Sequence, residues 1–212
     1  MRETSQPVVN KVAIIGAGPG GLATAIALRK KGIDAHVYER AKEFRPVGAG
    51  LGLQVNGLKC LDAIQPGIVD ILKRSGCQVQ RVTVKTSTGE TIRTSESTMT
   101  EKYGQPLLII WWWRLQQILA SVLSPEVIHL NHCCTGFEQN ENTVITHFEN
   151  GKTVQADLLI GADGLNSAVR QTLIGDGQPR YVGSMSWRAV IENNNDLLLP
   201  PNEVTLMKGA LT

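Results

Sequence analysis

The stretch "KVAIIGAGPGGLATAIALRKKG", from Lys11 to Gly32, decides the fold of this chain. It begins with a continuous apolar run, Val12–Ile15, which is typical of a buried strand, and a glycine-rich turn follows. Next comes a segment with apolar residues at helical spacing, which Gly32 is suited to end. A second strand is predicted from Ala35 to Glu39. Strand, helix and strand in direct succession form a βαβ unit, so the sequence predicts an α/β fold with a parallel sheet.

The glycine turn, "GAGPGG", follows the G-x-G-x-x-G pattern of dinucleotide-binding folds. Gly16 permits the tight turn, Gly18 lets the backbone approach a pyrophosphate, and Gly21 lets the helix pack against the strand. Gly20 lies in the same turn. The helix N-terminus adds free N–H groups and the positive end of a dipole. This spacing alone is a weak signal, but its position between a strand and a helix makes these four glycines candidate cofactor-binding residues.

An acidic residue, Glu39, stands at the end of the second predicted strand. A carboxylate at this position accepts hydrogen bonds from both hydroxyls of an adenosine ribose and repels a 2′-phosphate. The alternative is a tight turn followed by a surface glutamate. Because the glycine turn and the acid occur together in a βαβ unit, the sequence favours an adenine dinucleotide, either FAD or NAD.

A second motif lies in "DLLIGADGLNSAVR", where Asp163 and Gly164 directly follow an apolar strand and a helix comes next. Ligands of doubly wound folds bind at this carboxyl edge of the sheet. Asp163 is able to order backbone amides or to accept from a ligand hydroxyl, and Arg170 is able to contact phosphate. An ordinary turn with Asn166 or Ser167 as the helix N-cap fits the pattern equally well.

Later stretches predict a different, β-rich region. Alternating apolar and polar residues from Gln78 to Thr94, around a Thr-Gly-Glu turn, predict a β-hairpin. After Pro179, residues 183–191 and 202–209 are predicted to be strands of a separate sheet. Residues 47–53, "VGAGLGL", are predicted to be a loop.

The charge and hydropathy of the sequence argue against a nucleic-acid partner and against a transmembrane segment. The chain has 212 residues with a net charge of +2, and its Lys and Arg residues are scattered, so no nucleic-acid partner is predicted. The polar N-terminus does not resemble a signal peptide and no apolar stretch reaches transmembrane length, so we expect a cytoplasmic protein. The cysteines show no CxxC or Cys/His spacing, which predicts reduced thiols and no metal site; they are Cys60, Cys77, Cys133 and Cys134.

Four quoted segments occur in a familiar order: "GAGPGG", "YER", "GAGLGLQVNGLKCLDAI" and "LLIGADGLNSAVR". From Lys11 to about Ile191 the chain resembles the N-terminal half of the single-component (group A) FAD-dependent monooxygenases of the p-hydroxybenzoate hydroxylase type, with features of the zeaxanthin epoxidase-like branch. The resemblance implies a Rossmann-like FAD-binding parallel sheet with an inserted β-hairpin and the beginning of a β-rich substrate domain. The implied boundaries are residues 1–76 and 104–178 for the FAD-binding domain, 77–103 for the hairpin, and 179–212 for the substrate sheet.

The resemblance also implies a function. FAD would be the cofactor, NAD(P)H the reductant, and O₂ the source of the oxygen atom that hydroxylates or epoxidises an aromatic or isoprenoid small molecule. The glycine turn would approach the FAD pyrophosphate, Glu39 with Arg40 beside it would hold the adenosine ribose, and Asp163 and Gly164 would match the motif that serves FAD and the reductant. No catalytic side chain is predicted, because the cofactor performs the chemistry. A related flavin dehydrogenase or oxidase, and a catalytically incomplete nucleotide-binding remnant, are the alternatives.

The chain departs from the family pattern in length. A third FAD motif, a Gly-Asp-Ala run beyond the substrate sheet, is absent before Thr212. The sequence is therefore expected to be a fragment that lacks the C-terminal FAD motif. Its sheet would keep an unpaired apolar edge, at which a second chain could pair to supply the missing half.

A second departure is the tryptophan run in "LLIIWWWRLQQIL". Family members commonly have an FAD-contacting arginine three residues before the leucine that matches Leu115, and Trp112 occupies that position here. The role is therefore assigned to Arg114. In extended backbone Trp111 and Trp113 would share one face of the strand, and we expect two of the three rings to pack in the core.

Overall fold

A computed structural model describes residues 9–191 and 200–209. Within them the strands are, in chain order, β1 (Lys11–Ile15), β2 (Asp34–Tyr38), β3 (Gly50–Leu53), β4 (Cys77–Gln78), β5 (Arg81–Thr86), β6 (Thr91–Glu96), β7 (Leu108–Trp111), β8 (Ile128–His129), β9 (Cys134–Gln139), β10 (Val144–Phe148), β11 (Thr153–Ala156), β12 (Leu158–Gly161) and β13 (Glu203–Lys208). The helices are α1 (Pro19–Lys30), α2 (Val55–Ile64), α3 (Ile68–Ser75), α4 (Met99–Tyr103), α5 (Trp112–Ala120) and α6 (Ala168–Ile174). None of these helices is long and apolar enough to cross a membrane.

Two compact units divide the chain. One contains the residues up to Pro46 together with Gln116–Ser186, and the other contains Val47–Leu115 and the residues from Trp187 onward. The first unit is built on a four-stranded sheet in the order β12-β1-β2-β8, in which all neighbouring strands are parallel. This sheet confirms the α/β fold that the βαβ pattern predicts.

Strand β1 lies inside the parallel sheet and is covered on both faces, which explains why its sequence is continuously apolar. Ala13 and Ile15 face one side, where they join a buried cluster with Phe148 of the antiparallel sheet β11-β10-β9 and Val169 of α6. Successive side chains of a strand point to opposite faces, so the neighbouring residues of β1 face the other side of the sheet. Helix α1 packs on the sheet as well, against β1 and β2. Each fully buried aliphatic side chain contributes about 1.5–3 kcal/mol to stability.

The second unit contains two further sheets. Strands β5 and β6 form the predicted antiparallel hairpin, with Thr83 opposite Thr94. Strand β13 pairs in parallel with β5, with Val204 beside Val82, so the prediction that residues 202–209 form a strand of a separate sheet is confirmed. The other sheet has the order β3-β7-β4, in which β7 is antiparallel to both neighbours.

Two secondary-structure predictions are wrong. Residues 47–53 were predicted to be a loop, but Gly50–Leu53 forms β3 and pairs with β7. Pairing with an apolar partner strand outweighs the low strand propensity of glycine. Residues 183–191 were predicted to be a strand, but they form no strand, and Trp187 is 91% exposed. A strand requires a neighbour for its N–H and C=O groups, and alternating apolar residues alone do not supply one.

The tryptophan run crosses from β7 into α5, because Trp111 ends the strand and Trp112 begins the helix. The rings of Trp111 and Trp113 are in contact, with centroids 5.1 Å apart. All three side chains are partly exposed, so the expectation that two of them pack in the core is wrong. The run instead fixes residues 48–49, which directly precede β3. Trp111 Nε1 donates to the Gly48 carbonyl at 3.0 Å, and the Trp112 N–H donates to the Ala49 carbonyl at 3.1 Å.

Candidate functional site

The sequence motifs meet at one edge of the parallel sheet. Gly16 follows β1, Glu39 follows β2 and Asp163 lies just beyond β12, and these three strands are neighbours in the order β12-β1-β2. All three strands run in the same direction, so their carboxyl ends lie at the same edge, where doubly wound folds bind ligands. The glycine turn therefore lies between the two acidic residues.

Two glycines of the turn are required by packing. Gly16 has φ of +104°, and a Cβ there would collide with the Ala162 carbonyl oxygen at the end of β12. A Cβ on Gly21 would collide with the Gly16 carbonyl oxygen. Gly16 thus allows the tight turn and Gly21 allows helix α1 to approach it, as the motif predicts.

The other two glycines face open space. A Cβ on Gly18 or Gly20 would have no protein atom within 4 Å. The first hydrogen bond of α1 runs from the Leu22 N–H to the Gly18 carbonyl, so the N–H groups of Gly20 and Gly21 have no acceptor within the helix. Pro19 has no N–H, and no acidic side chain lies in this first turn. The helix N-terminus therefore presents N–H donors and a positive dipole end without a built-in anion, an arrangement suited to phosphate.

The Glu39 carboxylate lies beside this turn and accepts two backbone hydrogen bonds. Its Oε2 accepts from the Ala17 N–H at 2.8 Å, and its Oε1 accepts from the Ala41 N–H at 2.9 Å. Each carboxylate oxygen has a further lone pair, so both oxygens keep the capacity to accept from ribose hydroxyls. The contact with Ala17 gives Glu39 a second role, bracing the glycine turn, which the sequence pattern did not predict. Arg40 is exposed beside it.

Asp163 organises the start of α6. Its Oδ1 accepts from the Ser167 hydroxyl at 2.6 Å and its Oδ2 accepts from the Ala168 N–H at 2.7 Å. Ser167 is the N-cap, and its Oγ accepts from the Arg170 N–H at 2.9 Å. Of the alternatives left open by the sequence, the structure therefore has Asp163 ordering backbone amides and Ser167 capping the helix. Gly164 has φ of +80°, which favours glycine.

Arg170 and Arg114 are the other two arginines considered from the sequence. The Arg170 side chain is engaged within the protein, because its Nε lies 2.8 Å from a carboxylate oxygen of Asp176 and its Nη2 donates to the Leu165 carbonyl at 2.9 Å. Arg114 is exposed on the first turn of α5. Its predicted contact with the cofactor stays a prediction.

One residue of the site, Gln116, belongs to none of the sequence motifs. The Gln116 side chain on α5 donates from Nε2 to the Ala17 carbonyl at 2.8 Å, and this side chain is buried. The available signal was a polar residue within an apolar helix face, between the buried residues Leu115 and Ile118. A buried amide requires a hydrogen-bond partner, but the pattern does not identify which one.

Three histidines, His36, His129 and His132, form an aromatic cluster with Tyr38 beside β8, the edge strand of the parallel sheet. His36 Nδ1 lies 2.9 Å from His129 Nε2, and the His129 ring stacks on Tyr38 with centroids 4.7 Å apart. Burial is the main cause that holds the pKa of His129 below its ordinary value, and His36, His132 and Lys152 add to it. The rings of this cluster therefore pack against one another along β2 and β8.

No group of three or more His, Cys, Asp or Glu side chains in the described part of the chain could hold a metal ion. All four cysteines are free thiols. Burial raises the pKa of Cys134, and it raises that of Cys133 as well, so both thiols resist ionisation.

Comparison with known proteins places the chain in a family. The family described as "FAD binding domain" matches residues 10–197. The 3-amino-4-hydroxybenzoate 2-monooxygenase of Streptomyces cremeus is 35% identical over 184 residues, which are 85% of this chain and 46% of the relative. The FAD-dependent urate hydroxylase of Klebsiella pneumoniae is 32% identical over 202 residues, 94% of this chain and 52% of the relative.

A solved structure agrees with these relatives. The crystal structure of Klebsiella pneumoniae HpxO complexed with FAD and uric acid is 29% identical with a TM-score of 0.70, over 80% of this chain and 43% of that one. The chain spans about half the length of the curated relatives it matches. The glycine turn, the parallel sheet and the family match agree, and the chain belongs to this family of FAD-binding domains.

Proposed function

We propose that this chain binds FAD for an NAD(P)H-driven monooxygenase that transfers an oxygen atom from O₂ to an aromatic small molecule. The observation that carries the proposal is the glycine turn, where open space in front of Gly18 and unused N–H groups of Gly20 and Gly21 lie beside the Glu39 carboxylate. The relatives named for aminohydroxybenzoate and urate support an aromatic substrate. The isoprenoid substrates of a zeaxanthin epoxidase-like branch are a narrower expectation from the sequence motifs.

The residues fit FAD in distinct roles. N–H groups of the glycine turn donate to the pyrophosphate, and the remaining lone pairs of Glu39 accept from the adenosine ribose. Asp163 and Gly164 shape the loop that borders the turn on its other side. When bound, FAD accepts electrons from NAD(P)H and reacts with O₂, and the protein binds and orients the cofactor and excludes water from it.

Pairing with a second chain and a cytoplasmic location belong to the same proposal. In the described residues β12 is an edge of the parallel sheet, and its Leu158 is 43% exposed, so this edge is open to a further strand. Four free thiols suit a reducing compartment.

A titration tests the proposal. The purified chain is titrated with FAD by flavin fluorescence, then NADH or NADPH is added and O₂ consumption is followed with and without an aromatic phenol. We expect saturable FAD binding and O₂ consumption that increases with the phenol. Absence of FAD binding would overturn the proposal, and substrate-independent O₂ consumption would favour an oxidase.

The role assigned to Arg114 is tested in the same titration. Arg114→Ala should weaken FAD binding if this arginine has taken over from the position now held by Trp112. Trp112→Arg should strengthen it. An unchanged affinity of Arg114→Ala would show that the assignment is wrong.

A further inference from the structure

We propose that Gln116 is a positioning residue for cofactor binding: through the Ala17 carbonyl it aims the Gly18 N–H at the site of the FAD pyrophosphate. This inference rests on the proposed FAD binding. It assigns a role to a side chain on helix α5, far along the chain from the glycine motif, that the motif itself does not include.

The contact has a defined orientation. Gln116 is 5% exposed, and its Nε2 lies 2.8 Å from the Ala17 carbonyl oxygen. A carbonyl oxygen only accepts hydrogen bonds, so the NH₂ group of the amide must face it and the two ends of the side chain are not interchangeable. Burial excludes water as a substitute donor, so loss of the amide leaves the carbonyl without this partner.

The geometry of one peptide group links this contact to the ligand. The Ala17 carbonyl and the Gly18 N–H belong to the same peptide unit, which is planar and trans. In a trans peptide the C=O and N–H point in opposite directions, so holding the carbonyl oxygen toward α5 directs the Gly18 N–H away from it. That N–H makes no hydrogen bond within the described residues, and a Cβ on Gly18 would have no protein atom within 4 Å, so the residue is not crowded by the protein. A hydrogen bond accepted at the carbonyl also polarises the N–H of the same unit and makes it a stronger donor.

The neighbouring peptide unit is held as well. The Ala17 N–H donates to Glu39 Oε2 at 2.8 Å, so Ala17 is fixed by Glu39 on one side and by Gln116 on the other. Two side chains from distant parts of the sequence therefore set both peptide planes at the start of the turn. This leaves the Gly18 N–H pre-oriented for an anion, which reduces the ordering required when FAD binds.

Three variants test this role: Gln116→Met, Gln116→Glu and, as a matched control, Gln171→Met at an exposed position of α6. For each, FAD affinity is measured as a function of pH, and the thermal midpoint of the FAD-free chain is measured alongside. Gln116→Met removes the donor at nearly constant volume, and we expect about tenfold weaker FAD binding, the equivalent of one net hydrogen bond. The control should bind as wild type does.

The glutamate variant separates positioning from simple packing. A protonated carboxyl group donates to the Ala17 carbonyl, whereas a carboxylate only accepts, and burial raises the pKa of a carboxyl group. FAD affinity of Gln116→Glu should therefore be weak at high pH and recover toward wild type as the pH falls, a recovery that wild type and Gln116→Met should not show.

Folded Gln116→Met with wild-type affinity, or Gln116→Glu without recovery at low pH, would overturn the inference. If Gln116→Met fails to fold, the pH profile of Gln116→Glu decides alone. A wild-type chain that binds no FAD would overturn the proposed function and this inference with it, and that outcome is distinguishable because it appears before any substitution is made.

Discussion

Replacement of Gly18 by alanine should weaken FAD binding without weakening the fold. Gly18 has φ of −70° and ψ of 172°, a conformation that alanine adopts without strain, and a Cβ there would have no protein atom within 4 Å. The added methyl group therefore extends into the space assigned to the pyrophosphate rather than into the protein.

The expected magnitudes follow from this geometry. Alanine reduces the entropy of the unfolded chain, which stabilises by about 0.4–1 kcal/mol, but it is a poorer N-cap than glycine, so the free energy of unfolding should change by less than about 1 kcal/mol. A phosphate oxygen needs a distance of about 2.7–3.2 Å to the backbone nitrogen, and the methyl group obstructs that approach. Loss of one hydrogen bond to a charged group is about 1.5–3 kcal/mol, so the Kd for FAD should rise by roughly 10- to 150-fold.

The assay compares FAD titrations and urea unfolding curves for wild type, Gly18→Ala and two other glycine variants. Gly57→Ala in α2, where a Cβ would also have no neighbour within 4 Å, should bind FAD normally. Gly21→Ala should lose stability instead, because its Cβ would collide with the Gly16 carbonyl oxygen. Wild-type FAD affinity of Gly18→Ala would refute the assignment of the open space to the pyrophosphate.

Two further predictions concern stability. Asp163→Asn should lower the free energy of unfolding by about 0.5–2 kcal/mol. The two carboxylate oxygens of Asp163 accept from the Ser167 hydroxyl and the Ala168 N–H, whereas an amide has only one oxygen that accepts. An unchanged urea midpoint would contradict the role of Asp163 in ordering the start of α6. The pKa of His129 is lowered in the folded chain from an ordinary value of 6.5. Below about pH 6.5 the unfolded chain therefore takes up a proton that the folded chain resists. As the pH falls further, the stability of the fold should decrease until the pH reaches the folded pKa. His129→Phe preserves an aromatic ring on Tyr38 and should reduce this loss of stability at low pH. Thermal midpoints measured from pH 7.5 to 5 check this expectation. A pH profile identical to that of wild type would show that another group is responsible.

Several features could be predicted because they are encoded by residues close together in the chain. The run Val12–Ile15, the glycine spacing and the acid at Glu39 lie within a single βαβ unit, whose geometry follows from local propensity and short connections. The hairpin from Gln78 to Thr94 is local in the same sense, and its strands form where the alternation predicts them. The aspartate-glycine motif was recognisable because a sharp turn after a buried strand has a characteristic composition.

Predictions failed where a partner strand or a neighbouring surface decides the outcome. The alternating residues 183–191 form no strand because no neighbour pairs with them, whereas the glycine-rich Gly50–Leu53 forms a strand because β7 lies beside it. The three tryptophans were expected partly in the core, but they are held at a loop through contacts with Gly48 and Ala49. In each case the decisive contact joins segments that local periodicity does not relate.

The sequence by itself determined the dinucleotide-binding βαβ unit and the types of residue at its carboxyl edge. Short-range sterics and periodicity suffice to specify a strand, a glycine turn and a helix. Only the tertiary structure decided how that turn is held. It placed the Ala162 carbonyl against Gly16, directed the Glu39 carboxylate to the Ala17 N–H, and brought Gln116 to the Ala17 carbonyl. These contacts arise because a buried backbone group must find a partner, and which partner it finds depends on the packing of segments that are distant in the chain.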